Sequence, residues 1–155
     1  MKPNKLVSEI MTPAADLVTV KMEEPIVGIK NIFVKYNFHH LPVLDDRNKL
    51  VGIISQSDFL FSRFLMSYKA TGKTEVSFES NYLCAKDIMT KYPLCIDPYD
   101  TIGMAADIFL ANKFHALPVL DDGMLMGIVT SHDLLEYAYK SPLELKNDQM
   151  FEQVQ

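Results

Sequence analysis

HHLPVLDDRNKLVGIISQSDFL, residues 39–60, returns as HALPVLDDGMLMGIVTSHDLL at residues 115–135. At a shift of 76, His39, Leu41, Pro42, Val43, Leu44, Asp45 and Asp46 recur as His115, Leu117, Pro118, Val119, Leu120, Asp121 and Asp122. One residue is lost in the turn. At a shift of 75, Leu50, Gly52, Ile53, Asp58 and Leu60 then return as Leu125, Gly127, Ile128, Asp133 and Leu135. The chain is a duplication, and its other segments are read against that.

Each LPVL is a short apolar run closed by Asp-Asp and answered, after a polar turn, by LVGIIS or LMGIVT. That pattern predicts a β-hairpin whose aspartates serve the turn. Neither strand alternates cleanly, so both faces are expected to be covered. Upstream, Pro25 suits a first helical turn, and Ile26, Ile29, Ile32, Phe33 and Tyr36 fall at helical spacing. Ile102, Ala105, Ile108 and Phe109 repeat the stripe, with Asp100 or Thr101 available as a cap. Core packing accounts for a stripe of this width. Before these helices, residues 17–20 (LVTV) and 94–96 (LCI) lean towards strand. Residues 5–11 (KLVSEIM) and 85–89 (AKDIM) are short helical openings, each closed by Met-Thr.

Beyond each hairpin a helix is expected from Ser57 or Ser131. FLFSRFLMSY is apolar almost all round, with Phe61, Phe64, Leu65 and Tyr68 as its strongest stripe. DLLEYAYK is shorter, closed by Lys140 near the negative end of the helix and stopped by Pro142. Each half thus reads strand, helix, strand, strand, helix. The expected class is α/β in the α+β sense, two β-α-β-β-α repeats packed as one pseudo-two-fold module. Residues 5–68 and 84–140 are the repeats, 69–83 a polar linker and 141–155 a tail. A half of about 60 residues has little core alone, so the two should pack together.

Composition bounds the function. The 155 residues are 48% hydrophobic with a net charge of −5 and a pI near 5.3. An acidic chain does not suit a phosphate backbone as partner, so no nucleic acid is expected. No apolar run approaches the roughly 20 residues that span a bilayer, and the first residues lack a signal-peptide core. No membrane partner is expected. Cys84 and Cys95 make no metal-ligand spacing, and a reducing cytoplasm is the expected setting.

The two halves share Ile-Met-Thr before the first strand (residues 10–12 and 88–90), L-P-V-L-D at the second, and G-h-h-[S/T]-x-x-D at the third strand and helix start. Over roughly residues 5–140 this resembles a tandem pair of CBS domains, the paired arrangement called a Bateman module. The resemblance implies a regulatory module, not an enzyme. It would bind an adenosyl compound (AMP, ADP, ATP or S-adenosylmethionine) between the halves, with no obligatory cofactor. It would pair as a homodimer and act on an effector protein. By the same resemblance, Asp58 and Asp133 hold ribose hydroxyls, and Ser55 and Thr130 lie beside the phosphate. Main chain at His40 and Ala116 reads the adenine edge, while Thr12, Val18, Thr90 and Leu94 line the adenine pockets.

The residues support that chemistry in their own terms. A strand feeding straight into a helix leaves backbone N–H groups around residues 56–58 where a phosphate is favoured. Asp58 is an acceptor suited to a cis-diol and unsuited to phosphate. Gly52 and Gly127 permit close approach by another backbone or a ligand. Yet [S/T]-x-x-D before an apolar run is also a capping box, in which Ser55 caps the Asp58 amide and Thr130 that of Asp133. The two functions are compatible. The junctions differ in their middles, Gln56-Ser57 against Ser131-His132, and His132 is placed to face a phosphate.

A metal site built from His39, His40, His115, His132 and the Asp-Asp pairs fits poorly. Neighbouring residues of a strand point to opposite faces, and no H-x-x-x-H or C-x-x-C spacing exists. Cations are few: Lys91, His132 and Arg63, with Pro13 standing where the second repeat has Lys91. A mononucleotide or lightly charged adenosyl ligand is therefore expected, held better by the Thr130/Asp133 site. The alternative is a ligand-free dimerisation module of the same fold, for which the apolar FLFSRFLMSY helix would supply an interface.

Overall fold

The computed structural model describes residues 4–36, 38–71 and 83–140, with backbone alone over 64–71. In chain order the elements are β1 (Thr12–Pro13), β2 (Val20–Lys21), α1 (Ile26–Lys35), β3 (His40–Leu44), β4 (Leu50–Ser55), α2 (Gln56–Thr71), α3 (Ala85–Ile88), β5 (Thr90–Lys91), α4 (Ile102–Ala111), β6 (Ala116–Asp121), β7 (Met124–Thr130) and α5 (Ser131–Lys140). Short 3-10 turns cover Val7–Glu9 and Ala14–Asp16. Among the described residues no helix is long and apolar enough to cross a membrane.

Both hairpins form as the turn residues require. β3 and β4 pair antiparallel with His40 opposite Ser55, and β6 and β7 pair with Ala116 opposite Thr130. In the first turn, Asp45 Oδ1 accepts from the amides of Arg47 and Lys49, and Asn48 takes a positive φ of 61°. The shorter second turn has positive φ at both Asp122 (46°) and Gly123 (78°), the two-residue geometry that Asp-Gly favours. The lost residue therefore changes the turn and spares the register of the strands.

The repeats do not close on themselves. The first sheet runs β2-β3-β4-β5 and the second β1-β7-β6. β1, from the first repeat, pairs with β7 of the second, and β5, from the second repeat, pairs with β4 of the first. The segments just before these strands cross as well. The Val7 amide donates to Asp100 O and the Ile102 amide to Lys5 O; their counterparts are Ala85 N to Glu24 O and Ile26 N to Leu83 O.

Each core is accordingly shared. Val20, Ile26, Ile29, Phe33, Leu41, Val43, Ile54 and Phe59 enclose Ala85, with Leu83, Ile88 and Met89 against them. Ile96, Ala105, Leu117, Val119, Val129 and Leu134 enclose Val7, with Ile10 and Met11 alongside. Their exchange of first segments gives the module its pseudo-two-fold.

Some local expectations are corrected. The early strands are shorter than LVTV and LCI suggest: β2 holds two residues, and Ile96 makes a single parallel bridge to Val119. Thr101, not Asp100, caps α4 by accepting from the Met104 amide. Asp100 instead accepts from the Asp97 amide in the preceding turn. α2 begins at Gln56 and buries Phe59, which meets Phe33 at 5.8 Å between ring centroids. Phe61 of the expected stripe is exposed, because two residues on from Phe59 an α-helix has turned about 200° and faces away from the core. Phe64, Leu65 and Tyr68, as side chains, lie outside the described residues, as do residues 141–155 of the tail and most of the linker.

Candidate functional site

The two strand-to-helix junctions have the same hydrogen bonding. Asp58 Oδ2 accepts from the Ser55 amide (3.1 Å) and the Ser55 hydroxyl (2.6 Å), while the Asp58 amide donates back to Ser55 Oγ (3.0 Å). Asp133 Oδ2 accepts from the amide and hydroxyl of Thr130, both at 2.7 Å, and its amide donates to Thr130 Oγ1 (3.2 Å). Capping is thus present at both. It uses one carboxylate oxygen. Among the described residues, Oδ1 of Asp58 and of Asp133 accepts no hydrogen bond, and both side chains are half-buried. Each junction offers one fixed anionic acceptor with a free oxygen, which suits a diol.

The box also limits the hydroxyls. Each O–H is committed to its carboxylate, so Ser55 or Thr130 must break that bond before donating to a phosphate. The amides are scarcer than the sequence suggests. Gln56 N donates to His39 O (2.8 Å) and Ser131 N to His115 O (3.0 Å), and the amides of Asp58 and Asp133 are used by the caps. Among the described residues, Ser57 N and His132 N remain without an acceptor.

The crossing strands place the Met-Thr motifs. Thr12 is opposite Ile128, two residues before Thr130, and Thr90 is opposite Ile53, two before Ser55. Each threonine thus flanks the junction of the other repeat. Gly52 and Gly127 serve this crossing, and the close neighbour they admit is protein. A Cβ at Gly127 would collide with the Thr12 carbonyl oxygen, and one at Gly52 with the Met89 side chain, with Thr90 O at 3.0 Å.

The remaining candidates divide. Val18 packs against the first core, whereas Leu94 and Thr90 are exposed. Lys91 is opposite Gly52 on β5, so it belongs to the first sheet, and its charge acts on Asp87. It is not beside Thr130 and Asp133. The expectation that Lys91 favours the second site is therefore corrected: the strand carrying it crosses to the first repeat, and Pro13 takes the equivalent place against Gly127. Arg63 has its guanidinium 5.6 Å from the centroid of the Phe59 ring.

Histidines are nearer the junctions. His39 shares a 2.9 Å hydrogen bond with Gln56 Oε1. His40 is half-buried, and its pKa is lowered by desolvation first, then by His39 and His115, with Asp58 opposing. Ala116 is buried, and His132 is exposed near Glu136. The sequence offers His39 and His115 only as members of a poorly fitting metal site; their backbone ties to the helix starts carry no local signal. Among the described residues no three His, Cys, Asp or Glu side chains are grouped to hold a metal.

Comparison with known proteins gives the same architecture. The family model for the CBS domain matches residues 7–63 and 85–140. The chain is 31% identical over 152 residues to the CBS domain-containing protein CBSX1, chloroplastic, of Arabidopsis thaliana, covering 85% of this chain and 63% of that one. The crystal structure of CBSX2 in complex with AMP superposes with a TM-score of 0.73 at 32% identity, covering 87% of this chain and 96% of that one. The CBS domain pair of protein MJ0100, in complex with 5′-methylthioadenosine and S-adenosyl-L-methionine, gives 0.69 at 26% identity, covering 90% and 100%. The chain spans less than two thirds of the length of the first curated relatives it matches.

Proposed function

The chain belongs to the CBS domain family, with two repeats in tandem, and from that premise we propose that it is a regulatory module binding an adenosyl ligand between its repeats. The observation that carries this reading is the pair of capped aspartates. Among the described residues Oδ1 of Asp58 and of Asp133 accepts no hydrogen bond, and each junction is flanked by the Met-Thr strand of the opposite repeat. The AMP complex of CBSX2 and the methylthioadenosine and S-adenosylmethionine complex of MJ0100 support the ligand class. Among the described residues few cations stand at the junctions, so a mononucleotide or a less charged adenosyl compound is favoured over a triphosphate. Ligand binding would alter the packing of the two repeats, and an effector protein would read the change. The free thiols of Cys84 and Cys95 suit a reducing compartment such as the cytoplasm.

A thermal-shift screen with AMP, ADP, ATP and S-adenosylmethionine tests the reading. Ligand at 100 times its Kd should add about 2.7 kcal/mol of stability. No shift with any of the four would reject it. Calorimetry giving ATP an affinity tenfold or more above that of AMP would reject the preference for a mononucleotide.

The exposed apolar residues on α2 and α5 favour a second reading, of an interaction module. Leu60 and Leu135 occupy equivalent positions and are 54% and 68% exposed, with Phe61 and Tyr139 nearby on the same helices. Such faces suit a homodimer under either reading. Sedimentation at about ten micromolar, a concentration that populates any dimer with micromolar affinity, should show two chains. A strict monomer would reject the dimer.

A further inference from the structure

Residues 38–40 lead into β3 and residues 114–116 into β6, the strands that pair with the ends of β4 and β7. His40 stands opposite Ser55, and three ionisable groups act on its ring: His39 from the same segment, Asp58 from α2 and His115 from the second repeat. His39 is tied to Gln56 twice, by its ring and by its carbonyl, and the His115 carbonyl holds the Ser131 amide. The rings of His39 and His40 thus belong to the segment that pairs with the start of α2, where Asp58 Oδ1 accepts no hydrogen bond among the described residues. None of the groups acting on His40 is a lysine or arginine. An anion beside Ser55 meets in His40 a group whose charge depends on pH.

We propose that binding of a phosphate-bearing adenosyl ligand is proton-linked through His40, and that binding of an uncharged adenosyl compound is not. The proposal rests on the adenosyl reading above and adds its ligand class: a nucleoside monophosphate whose grip depends on pH. In the free protein, burial and the two other imidazoles hold the His40 pKa below the ordinary value of 6.5, against the pull of Asp58. Its ring is then neutral at neutral pH. An incoming phosphate favours the imidazolium and raises that pKa, so binding takes up a proton. Affinity is greatest below the free value and falls as pH rises towards the bound value, by up to about tenfold per pH unit for one ring.

Calorimetry of the whole chain with AMP and with adenosine, between pH 6.5 and 8 and in buffers of different ionisation enthalpy, reads affinity and proton uptake together. Expected are an AMP affinity that falls about fivefold or more across this range, with net proton uptake, and an adenosine affinity that stays level. The phosphate of AMP titrates near pH 6 in the opposite sense, and it does so equally in wild type and His40→Gln. Their difference isolates the ring, and the fall should be flattened in H40Q. Should that variant not fold, NMR titration of the wild-type histidines decides: AMP should raise the pKa of His40. AMP binding with an unmoved His40, or with equal pH dependence in both proteins, overturns the proton linkage alone. Failure of both compounds to bind at any pH overturns the adenosyl reading and the linkage with it.

Discussion

At Asp58 a single carboxylate has two tasks, and its two oxygens allow them to be separated. Oδ2 closes the cap with Ser55, and Oδ1 accepts no hydrogen bond among the described residues. Ser55→Ala should lower stability by about 1 kcal/mol, the usual size of a lost cap, and leave nucleotide affinity within about fivefold, the factor to which 1 kcal/mol corresponds. Asp58→Asn keeps an acceptor for the cap but removes the charge. A hydrogen bond to a charged group contributes about 1.5–3 kcal/mol, so affinity at this site should fall at least about tenfold. Urea melts and calorimetry on the two variants check the division; equal effects on binding would show that the cap and the ligand contact are inseparable. His40 carries a second expectation, in the ligand-free protein. Its folded pKa is depressed, so on acidification the unfolded chain takes the proton first. Its contribution is intact above about pH 6.5 and is lost as pH falls through the lower folded value, by at most about 1.4 kcal/mol per pH unit. Urea melts at pH 7.5 and 5.5 should show a smaller acid-side loss in His40→Gln than in wild type. The spacing of Ser55 and Asp58 made both the cap and a ribose contact readable from sequence. Which oxygen remained open was not readable, because it depends on side-chain torsions. The coupling of His40 to His115 was equally hidden, since 75 residues separate them.

At the scale of elements, the glycines and the Met-Thr motifs explain each other. β1 lies on β7 so closely that Gly127 cannot carry a side chain without striking the Thr12 backbone. Backbone in a paired strand cannot move aside cheaply. Gly127→Ala should therefore cost about 1–3 kcal/mol, as overpacking does. Gly52 is crowded first by the flexible Met89 side chain, so Gly52→Ala should cost less. Denaturant midpoints for the two variants test the order; a more harmful change at Gly52 would contradict it. If the adenosyl reading holds, Gly127→Ala should also weaken the Thr130/Asp133 site, because it displaces Thr12 alongside. The hairpins and the main helices were legible in the sequence, since turn aspartates and an apolar stripe are local signals. β1 and β5 were not. Two residues show no periodicity, and their partners lie in the other repeat. The repeated Met-Thr and the repeated glycine were visible signs of a shared constraint, but not of which copy met which.

For the whole molecule, crossing of the first segments means that the sequence repeats are not independent units of folding. The core of the second half includes Val7, fully buried, with Ile10 and Met11 packed beside it. Its sheet is completed by β1, and the start of α4 is held by the Lys5 carbonyl. A chain of residues 83–140 alone would expose that core and leave the edge of β7 unpaired. Restoring Val7 alone is worth about 1.5–3 kcal/mol, against a total stability of about 5–15 kcal/mol for a typical domain. A half-sized unit stands near the bottom of that range. Residues 83–140 expressed alone should therefore give broad, poorly dispersed amide NMR signals. Fusing residues 4–16 to the front through a flexible linker should sharpen them. A well-folded 83–140 fragment would show that the exchanged segment decorates the second half without stabilising it. Recovery by the fusion would show instead why a ligand at one junction can be felt at the other: each junction is flanked by a strand whose chain continues into the opposite repeat.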